Sequence, residues 1–379
     1  MAAPALAPAN ADLDFLLAEI AESLQLTSDQ FSLAVQHYRA VADWLGAPES
    51  RLAPFKPWIY PQGSMALETT VRPRSREEYD LDLVCQTLPT GMRALQVYEV
   101  LHERLRANKT YAPMLERKNR CVRLNYAHNF HLDIIPAEPD PASGSTAILV
   151  PDRALRSWMA SNPKGYVAWF TQRSQVTLAE LRKKVDPLPR PTPSDEKPTL
   201  TIAVQLMKRR RDMLCGEDDG PRSIVLTTLA GECYRGTDCV LTAMRQVVSG
   251  IQQRIAAALP GRITLCNPTN HAEKFCESFA EGGRYESFRW FIDQFERDLA
   301  RIAACIGIPE LQTALSETFG DEPVTKAVRS YGEVLKARRD RNALEFSGAG
   351  AGGLAIVTPV RGVTRVAPPH RYFGGEGDS

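Results

Sequence analysis

YPQGSMALETTVRPRSREEYDLDLVC, residues 60–85, contains a Gly-Ser pair and, after fifteen intervening residues, two aspartates that alternate with apolar residues. Successive side chains of a β-strand point to opposite faces, so Asp80 and Asp82 share one face and their apolar neighbours share the other. Their Cα atoms would stand about 6.6 Å apart at the usual rise of about 3.3 Å per residue. Two carboxylates at this spacing can bind one hard cation, although the polar face of an edge strand in water has the same pattern.

A third carboxylate follows in NFHLDIIPA, residues 129–137, where Asp133 lies on a strand among residues suited to burial. An isolated carboxylate there is costly unless it is paired or bound to a metal. Three aspartates on adjacent strands could hold two Mg²⁺ about 3.5 to 4 Å apart, one activating a hydroxyl and the other neutralising a leaving pyrophosphate. This arrangement suits nucleotidyl transfer. His131, on the same strand face, is interpreted as a hydrogen-bonded structural histidine rather than a general base.

The Gly-Ser pair offers a phosphate site for the same chemistry. Gly63 allows the backbone to approach an anion closely, and Ser64 presents a hydroxyl and an amide, with a helix dipole added if a helix begins there. Gly-Ser by itself is common in loops. Its combination with the paired aspartates and with Asp133 indicates a functional site rather than an accidental arrangement.

These motifs resemble those of the DNA polymerase β-like nucleotidyltransferase superfamily, in which Gly-Ser is followed by a paired acidic strand and a distant third acid. Within it, the chain is most similar to the CD-NTases, the bacterial relatives of cyclic GMP-AMP synthase and oligoadenylate synthase. The closer similarity lies in QLMKRRRDMLCGEDDGPRSIVLTTLAGECY, residues 205–234, and ITLCNPTNHAEKFCESF, residues 263–279. The resemblance covers about residues 10–340.

The resemblance implies a role for each residue that matches the family's motifs. It implies two magnesium ions, with manganese as a substitute, a phosphate-binding turn, and two groups of the second lobe that reach the donor triphosphate. The matching residues are Asp80, Asp82 and Asp133 for the metal, Gly63 and Ser64 for the phosphates, and Lys208 and Ser223 for the triphosphate.

The residues of the second lobe have other interpretations as well. Lys208 begins KRRRD, a charge run of the kind that usually forms a solvated helix face. Ser223 could cap the helix that begins SIVLTTL. Asn267, Pro268 and Asn270 could shape the nucleotide cleft or form an ordinary turn, so they are left outside the catalytic set.

The expected fold is α+β: a polymerase β-like catalytic lobe with a mixed sheet, packed against a mostly helical lobe, with the active site in the cleft between them. Residues 1–190 are expected to form the catalytic lobe with its N-terminal helices, 191–345 the helical nucleotide-binding lobe, and 346–379 a Gly-rich tether and tail.

Strands are predicted at 79–86, 121–126 and 130–136. The N-terminal helices include a capping box at 27–30 and end at Gly46. Further helices are predicted at 90–107, 199–215, 222–234, 238–258, 271–279, 284–305 and 310–340. Five prolines in 186–198 mark the crossing between lobes.

The charge composition does not favour a long nucleic acid as the binding partner. Lys and Arg total 46 against 45 Asp and Glu, so a net charge of +1 gives no general reason to bind a long nucleic acid. Eight cysteines without a CxxC pair are typical of reduced thiols, and Cys266, His271 and Cys276 are interpreted as incidental rather than as zinc ligands. The N-terminus lacks the features of a signal peptide, and no long apolar run occurs, so a cytoplasmic protein is expected.

The resulting hypothesis is a template-independent nucleotidyltransferase that makes a cyclic di- or trinucleotide from ATP, with or without GTP or another nucleoside triphosphate. Family resemblance implies that the product is a second messenger in antiphage defence. The alternative is an enzyme that adds AMP to an RNA end or to a protein, since it would share the same aspartates. A degenerate, non-enzymatic fold is disfavoured because all three acids are present.

The C-terminal tail suggests a protein partner. APPHRYFGGEGDS, residues 367–379, places aromatic residues after a glycine-rich tether. It resembles the tails of CD-NTases whose operons encode HORMA-like or ubiquitin-transfer-like regulatory proteins. Docking of the tail onto the protein's own lobes is the alternative.

Overall fold

Two helices open the part of the chain whose structure is described. The computed structural model describes residues 8–72, 74, 79–126, 130–174, 197–215, 220–340, 345–346 and 365–366. Helix α1 spans Pro8–Ser23 and α2 spans Ser28–Gly46. The predicted capping box is confirmed, because Thr27 Oγ1 accepts from the amide of Gln30 at 3.2 Å and Gln30 Oε1 accepts from the amide of Thr27 at 3.0 Å.

A mixed sheet of seven strands forms the centre of the first lobe. Its strands are β1 (Trp58–Pro61), β2 (Tyr79–Gln86), β3 (Leu115–Arg117), β4 (Val122–Tyr126), β5 (Phe130–Pro139), β6 (Ile148–Asp152) and β7 (Ser157–Ser161). The order is β1-β2-β5-β4-β3, and β6 pairs with both β5 and β7. Only β2 and β5 run parallel among these pairs. The α+β prediction is confirmed.

Two helices of this lobe lie beside the sheet, the short α3 (Gly63–Ala66) and α4 (Ala94–Arg106). A third helix, α5 (Pro163–Arg173), buries Tyr166 and Phe170 in the core of the second lobe. Apolar side chains of α2 and α4 share one core with the apolar residues of β2, β4 and β5, including Leu81, Leu83 and Leu132. Because side chains alternate along a strand, burying this face of β2 turns its aspartates to the opposite face.

The second lobe is built from helices, as predicted. They are α6 (Thr199–Cys215), α7 (Ser223–Cys233), α8 (Val240–Ala258), α9 (Arg284–Ala304), α10 (Ile308–Phe319) and α11 (Asp321–Asp340). Helix α1 packs against α11, α6 and α8, and its leucines belong to the core of this lobe. The boundary placed at residue 190 stays a prediction, since it lies outside the described residues.

Two predicted helices of the second lobe differ from the structure. The segment 271–279 is not helical: β8 (Cys266–Asn267) and β9 (Asn270–Lys274) form a hairpin, followed by a 3₁₀ turn at Glu277–Ala280. The Asn-Pro turn between the strands overrides the helical spacing, because Asn267 Oδ1 accepts from the amide of Thr269 at 2.9 Å. The segment 310–340 is divided into α10 and α11 at Gly320, whose φ is 97°.

Some elements of the structure were not predicted, and some predicted segments lie outside the described residues. Strands β6 and β7 and helix α5 have no counterpart in the sequence-based prediction. Near the C-terminus, β10 (Glu345–Phe346) pairs with β11 (Arg365–Val366). Most of the proline-rich crossing and the aromatic tail cluster lie outside the described residues. Within the described ranges, no helix combines the length and apolar character needed to cross a membrane.

Three of the five residues in the charge run of α6 are buried, which the solvated-face interpretation does not anticipate. Lys208, Arg209 and Arg210 are only 4%, 6% and 7% exposed. Arg209 donates to the carbonyl of Phe319 at 2.9 Å, and Arg210 Nε lies 2.7 Å from Asp298 Oδ2. These cations therefore join α6 to neighbouring elements instead of facing water.

Asp298→Ala should destabilise the protein by about 3 kcal/mol, because it leaves the Arg210 guanidinium buried without its carboxylate. The measurement is the free energy of unfolding in urea. Glu103→Ala is the matched control: Glu103 pairs with Arg51 at 3.0 Å, but the two side chains are 49% and 69% exposed. That loss should stay below about 1 kcal/mol. Equal losses in the two variants would contradict a structural role for the buried pair.

Candidate active site

The parallel pairing of β2 with β5 brings the predicted aspartates together. The register places Asp82 beside Asp133 and Asp80 beside His131. Asp133 is 9% exposed, whereas the side chain of Asp80 is 57% exposed. The three carboxylates thus form a group that extends from the buried middle of the sheet to the surface.

The Gly63 turn lies directly against Asp82. The amide of Gln62 donates to the carbonyl of Asp82 at 2.9 Å, and the φ of Gly63 is 63°. A Cβ atom at Gly63 would stand only 2.2 Å from Asp82 Oδ2. The absence of a side chain at Gly63 is therefore what allows the turn and the carboxylate to share this space.

Arg123 is a member of the group that sequence reasoning missed. It faces Asp133 across the antiparallel pair β4–β5. Its Nε and Nη2 donate to the two carboxylate oxygens of Asp133 at 2.7 and 2.8 Å, and Nη2 also donates to Asp80 Oδ1 at 3.1 Å. Alternation in CVRLNY indicates which residues share a face with Arg123, but not that β4 lies next to β5.

His131 belongs to the same polar cluster. Its Nδ1 lies 3.2 Å from Arg123 Nη1 and 3.4 Å from Asp80 Oδ1. This arrangement agrees with the interpretation of His131 as a hydrogen-bonded residue on the strand.

Burial and crowding of negative charge raise the pKa of Asp82. Burial, and then the neighbouring charges of Asp133 and Asp80, raise the pKa of Asp82 to about 7, while Arg123 and Lys208 act in the opposite direction. Asp82 therefore holds its proton up to near neutral pH. The group would gain from a further cation close to Asp82.

Magnesium fits the chemistry of these ligands. Carboxylate oxygens are the ligands that Mg²⁺ prefers, and neighbouring positions of parallel strands supply two of them. Among the described residues, no three His, Cys, Asp or Glu side chains are already arranged as a metal cluster, and Arg123 bridges two of the carboxylates instead. A metal ion bound by Asp80 and Asp133 would share their oxygens with Arg123.

A cleft of about 950 Å³ adjoins the carboxylates. This volume lies at the upper end of the range for small-molecule sites. The cleft has an apolar wall that could receive a nucleotide base, lined by Leu67, Tyr166, Val167, Ile224 and Phe275, and it is bordered by cations that could meet phosphates, namely Lys118, Arg120, Arg123, Arg222 and Lys274.

Glu273 fixes the side of the cleft formed by the β8–β9 hairpin. Its carboxylate accepts from Ser161 Oγ at 2.9 Å, from the amide of Asn162 at 3.2 Å and from Asn267 Nδ2 at 2.7 Å. Burial raises the pKa of Glu273, while these donors lower it. The Asn-Pro segment therefore both forms a turn and borders the cleft. Cys266, interpreted from the sequence as incidental rather than as a zinc ligand, lies opposite Lys274 in the register of this hairpin.

The remaining predicted phosphate-binding residues have protein partners in this structure. Ser64 Oγ accepts from Thr70 Oγ1 at 3.3 Å, and Lys208 Nζ donates to Thr69 Oγ1 at 2.7 Å. Ser223 Oγ accepts from Arg211 Nη1 at 2.7 Å. The described residues that line the cleft include Gly63 and all three aspartates, but not these three side chains.

The capping interpretation of Ser223 is wrong. Ser223 is the first residue of α7, and the N-cap is Arg222, which makes no side-chain capping bond. Contact of Lys208 and Ser223 with a triphosphate stays a prediction.

Comparison with known proteins relates this geometry to characterised enzymes. A family model described as the Second Messenger Oligonucleotide or Dinucleotide Synthetase domain matches residues 17–174, which include Gly63 and the three aspartates. A c-di-GMP synthase from Roseivirga ehrenbergii is 30% identical over 378 residues, covering 97% of this chain and 98% of that protein. The cyclic dinucleotide synthase CdnG from Bradyrhizobium diazoefficiens is 28% identical over 359 residues, covering 85% and 84%.

Solved structures agree with the fold. The structure of the Bradyrhizobium diazoefficiens CD-NTase CdnG in complex with GTP superposes with a TM-score of 0.68 at 25% identity. The match covers 84% of this chain and 99% of that chain. The similarity therefore extends over both lobes.

Gly63→Ala should reduce pyrophosphate release from nucleoside triphosphates at least about 100-fold, because the new methyl group requires the Asp82 carboxylate to move. Gly91→Ala is the matched control: its φ is 71°, but nothing lies within 4 Å of the added atom. Gly91→Ala should lower the stability by about 1 kcal/mol, the strain of a left-handed backbone, and leave turnover unchanged. Melting temperature is measured for both. Similar turnover in the two variants would refute the close packing at Gly63.

Asp82→Asn should stabilise the metal-free protein more at pH 8 than at pH 5. In the folded protein the pKa of Asp82 is raised from 3.8 to about 7. The wild type therefore loses stability as the pH rises through this interval, because ionisation is easier in the unfolded chain. Asparagine does not ionise and avoids that loss. Melting temperatures in EDTA at the two pH values test this, and a gain independent of pH would contradict it.

Proposed function

This chain belongs to the CD-NTase family of nucleotidyltransferases, and from that premise we propose that it makes a cyclic dinucleotide from GTP. Second-messenger synthesis follows from the family. The choice of GTP, in place of the ATP expected from sequence, is supported by the c-di-GMP synthase whose similarity extends over nearly the whole chain, and by the GTP complex of the related CdnG.

The observation that carries the mechanism is the register of Asp82 with Asp133 beneath the Gly63 turn, at the edge of the cleft. Asp80, Asp82 and Asp133 would hold magnesium. When bound, magnesium would favour ionisation of the attacking ribose hydroxyl and neutralise charge on the leaving pyrophosphate.

The chain's own residues position the substrates. The Gly63 turn would present its backbone to the triphosphate of the donor nucleotide, and Lys118, Arg120 and Arg222 would offset phosphate charge. The apolar wall would hold a base and exclude water from one side of the cleft. Catalysis by positioning and charge neutralisation is typical of phosphoryl and nucleotidyl transfer.

The reaction consists of two successive in-line attacks. A ribose hydroxyl of one nucleotide forms a bond with the α-phosphorus of the other, the bond between that phosphorus and the β-phosphate oxygen breaks, and pyrophosphate leaves while the hydroxyl proton passes to solvent. A second attack within the linear intermediate closes the ring and releases a second pyrophosphate. Binding both nucleotides in one cleft makes the first step effectively unimolecular, and the covalent bond of the linear intermediate makes the second step intramolecular.

We also retain two proposals about the cellular role. The cyclic dinucleotide would act in antiphage defence in the cytoplasm, and a HORMA-like or ubiquitin-transfer-like protein would bind the C-terminal tail. The aromatic cluster of that tail, 370–373, lies outside the described residues.

Mass spectrometry of the products formed with GTP alone, ATP alone and their equimolar mixture, each with Mg²⁺, tests the proposed reaction. We expect cyclic di-GMP from GTP alone. Asp133→Asn should lower pyrophosphate release at least about 100-fold. Asp293→Asn, an exposed change on α9 outside the cleft, is the control and should keep wild-type turnover.

Two outcomes would contradict the proposal. Formation of product only after addition of RNA or protein would favour transfer of a nucleotide to a polymer. Full activity of Asp133→Asn would refute the assignment of the carboxylates.

A further inference from the structure

The segment that follows the Gly63 turn is held by polar side chains from the other lobe. Lys197 Nζ donates to the carbonyl of Glu68 at 3.3 Å, and Gln205 Nε2 donates to the carbonyl of Thr70 at 2.8 Å. Between these two residues of segment 68–70, the carbonyl and hydroxyl of Thr69 accept from Lys208 at 3.2 and 2.7 Å. We call Lys197, Gln205 and Lys208 the clasp.

The clasp is an internally bonded and buried unit. Its three side chains are 6%, 1% and 4% exposed, and Lys197 Nζ also donates to Gln205 Oε1 at 3.2 Å. Gln205 thus uses its oxygen to hold Lys197 and its nitrogen to hold the peptide. Buried polar groups bonded in this way fix one arrangement, because an alternative arrangement leaves a donor or acceptor without a partner.

Segment 68–70 has a conformation that needs such support. Glu68 has a φ of 56°, in the left-handed region that non-glycine residues seldom adopt. A conformation of this kind persists where the surrounding structure holds it. The bond from Lys197 to the carbonyl of Glu68 supplies a restraint at that residue.

The restraint continues to the proposed phosphate-binding residues. The amide of Thr69 donates to the carbonyl of Ser64 at 2.9 Å, and Thr70 Oγ1 donates to Ser64 Oγ at 3.3 Å. A short path of hydrogen bonds therefore connects Gln205, through Thr70, to Ser64, which directly follows Gly63.

We propose that Gln205 is a positioning residue for nucleotide binding: through the clasp, α6 and Lys197, which precedes it, hold segment 68–70 and so keep the Gly63–Ser64 turn against Asp82. This inference rests on the proposed function of that turn in binding a triphosphate. Gln205 would act without contact with the nucleotide, so its loss should weaken binding while every group that touches the substrate is retained.

Gln205→Leu removes both bonds of the amide at similar side-chain size. We expect the Kd for a nonhydrolysable GTP analogue, measured by calorimetry with Mg²⁺, to rise about tenfold, the effect expected if the lost bond to the carbonyl of Thr70 is the one that positions the turn. The KM for GTP should rise while kcat changes less. Gln205→Glu keeps an acceptor for Lys197 but loses the donor to Thr70, so it should behave like the leucine variant, whereas Lys197→Met should show a smaller effect.

Thr318→Val is the matched control for stability. Thr318 is fully buried in α10 and donates to the carbonyl of Ala314 at 2.7 Å, away from the turn. It should lower the melting temperature without changing the Kd. A rise in Kd equal to that of Gln205→Leu would show that the effect is general destabilisation and would overturn the proposal.

Hydrogen exchange of the nucleotide-free protein tests the clasp independently of the reaction. The amide of Thr69 should exchange faster in Gln205→Leu than in the wild type and in Thr318→Val. Unchanged exchange would overturn the clasp as a restraint, and faster exchange with unchanged Kd would overturn its role in binding. Absence of any cyclic dinucleotide from the wild type would instead refute the proposed function, while the exchange result would still stand.

Discussion

Parallel pairing of β2 with β5 places two carboxylates side by side, and the rest of the site is arranged around the repulsion between them. Asp82 and Asp133 occupy matching positions of neighbouring strands. Proteins tolerate such a pair where a proton or a cation compensates the charge. Here Arg123 binds Asp133 with two hydrogen bonds, and the raised pKa of Asp82 keeps a proton available near neutral pH.

The two lobes meet this carboxylate group from different directions. The catalytic lobe contributes the acids on a sheet whose opposite face is buried, which fixes the direction of each side chain. The helical lobe contributes Lys197 and, from α6, Gln205 and Lys208, which hold the peptide beyond the Gly63 turn. The hairpin at Glu273 closes another side of the cleft. Neither lobe by itself forms the complete site.

Local patterns in the sequence were sufficient for the strands that carry the aspartates. Alternation in EYDLDLV and FHLDIIPA predicts β2 and β5, and their face assignments follow from the period of two. Arg123 could not be found in this way, because its position depends on β4 pairing with β5, a contact between strands. The helical prediction at 271–279 failed for a local reason, since the Asn-Pro turn outweighs periodicity.

Burial of Lys208, Arg209 and Arg210 shows a second limit of sequence reasoning. A run of cations usually faces water, yet Arg210 pairs with Asp298 of α9 within the helical lobe, and Lys208 donates to Thr69 of the other lobe. Spacing along α6 indicates which residues share a face, but it does not show that the neighbouring elements offer acceptors to them.

The contact between Gly63 and Asp82 also limits how this protein can diverge. Any descendant that retains the turn and the position of the Asp82 carboxylate has no room for even one additional carbon at residue 63. Gly91 has a similar backbone conformation but open surroundings, so drift there is opposed only by a modest conformational cost. A side chain at Gly63 is therefore opposed by lack of space as well as by backbone conformation, whereas one at Gly91 is opposed by backbone conformation alone.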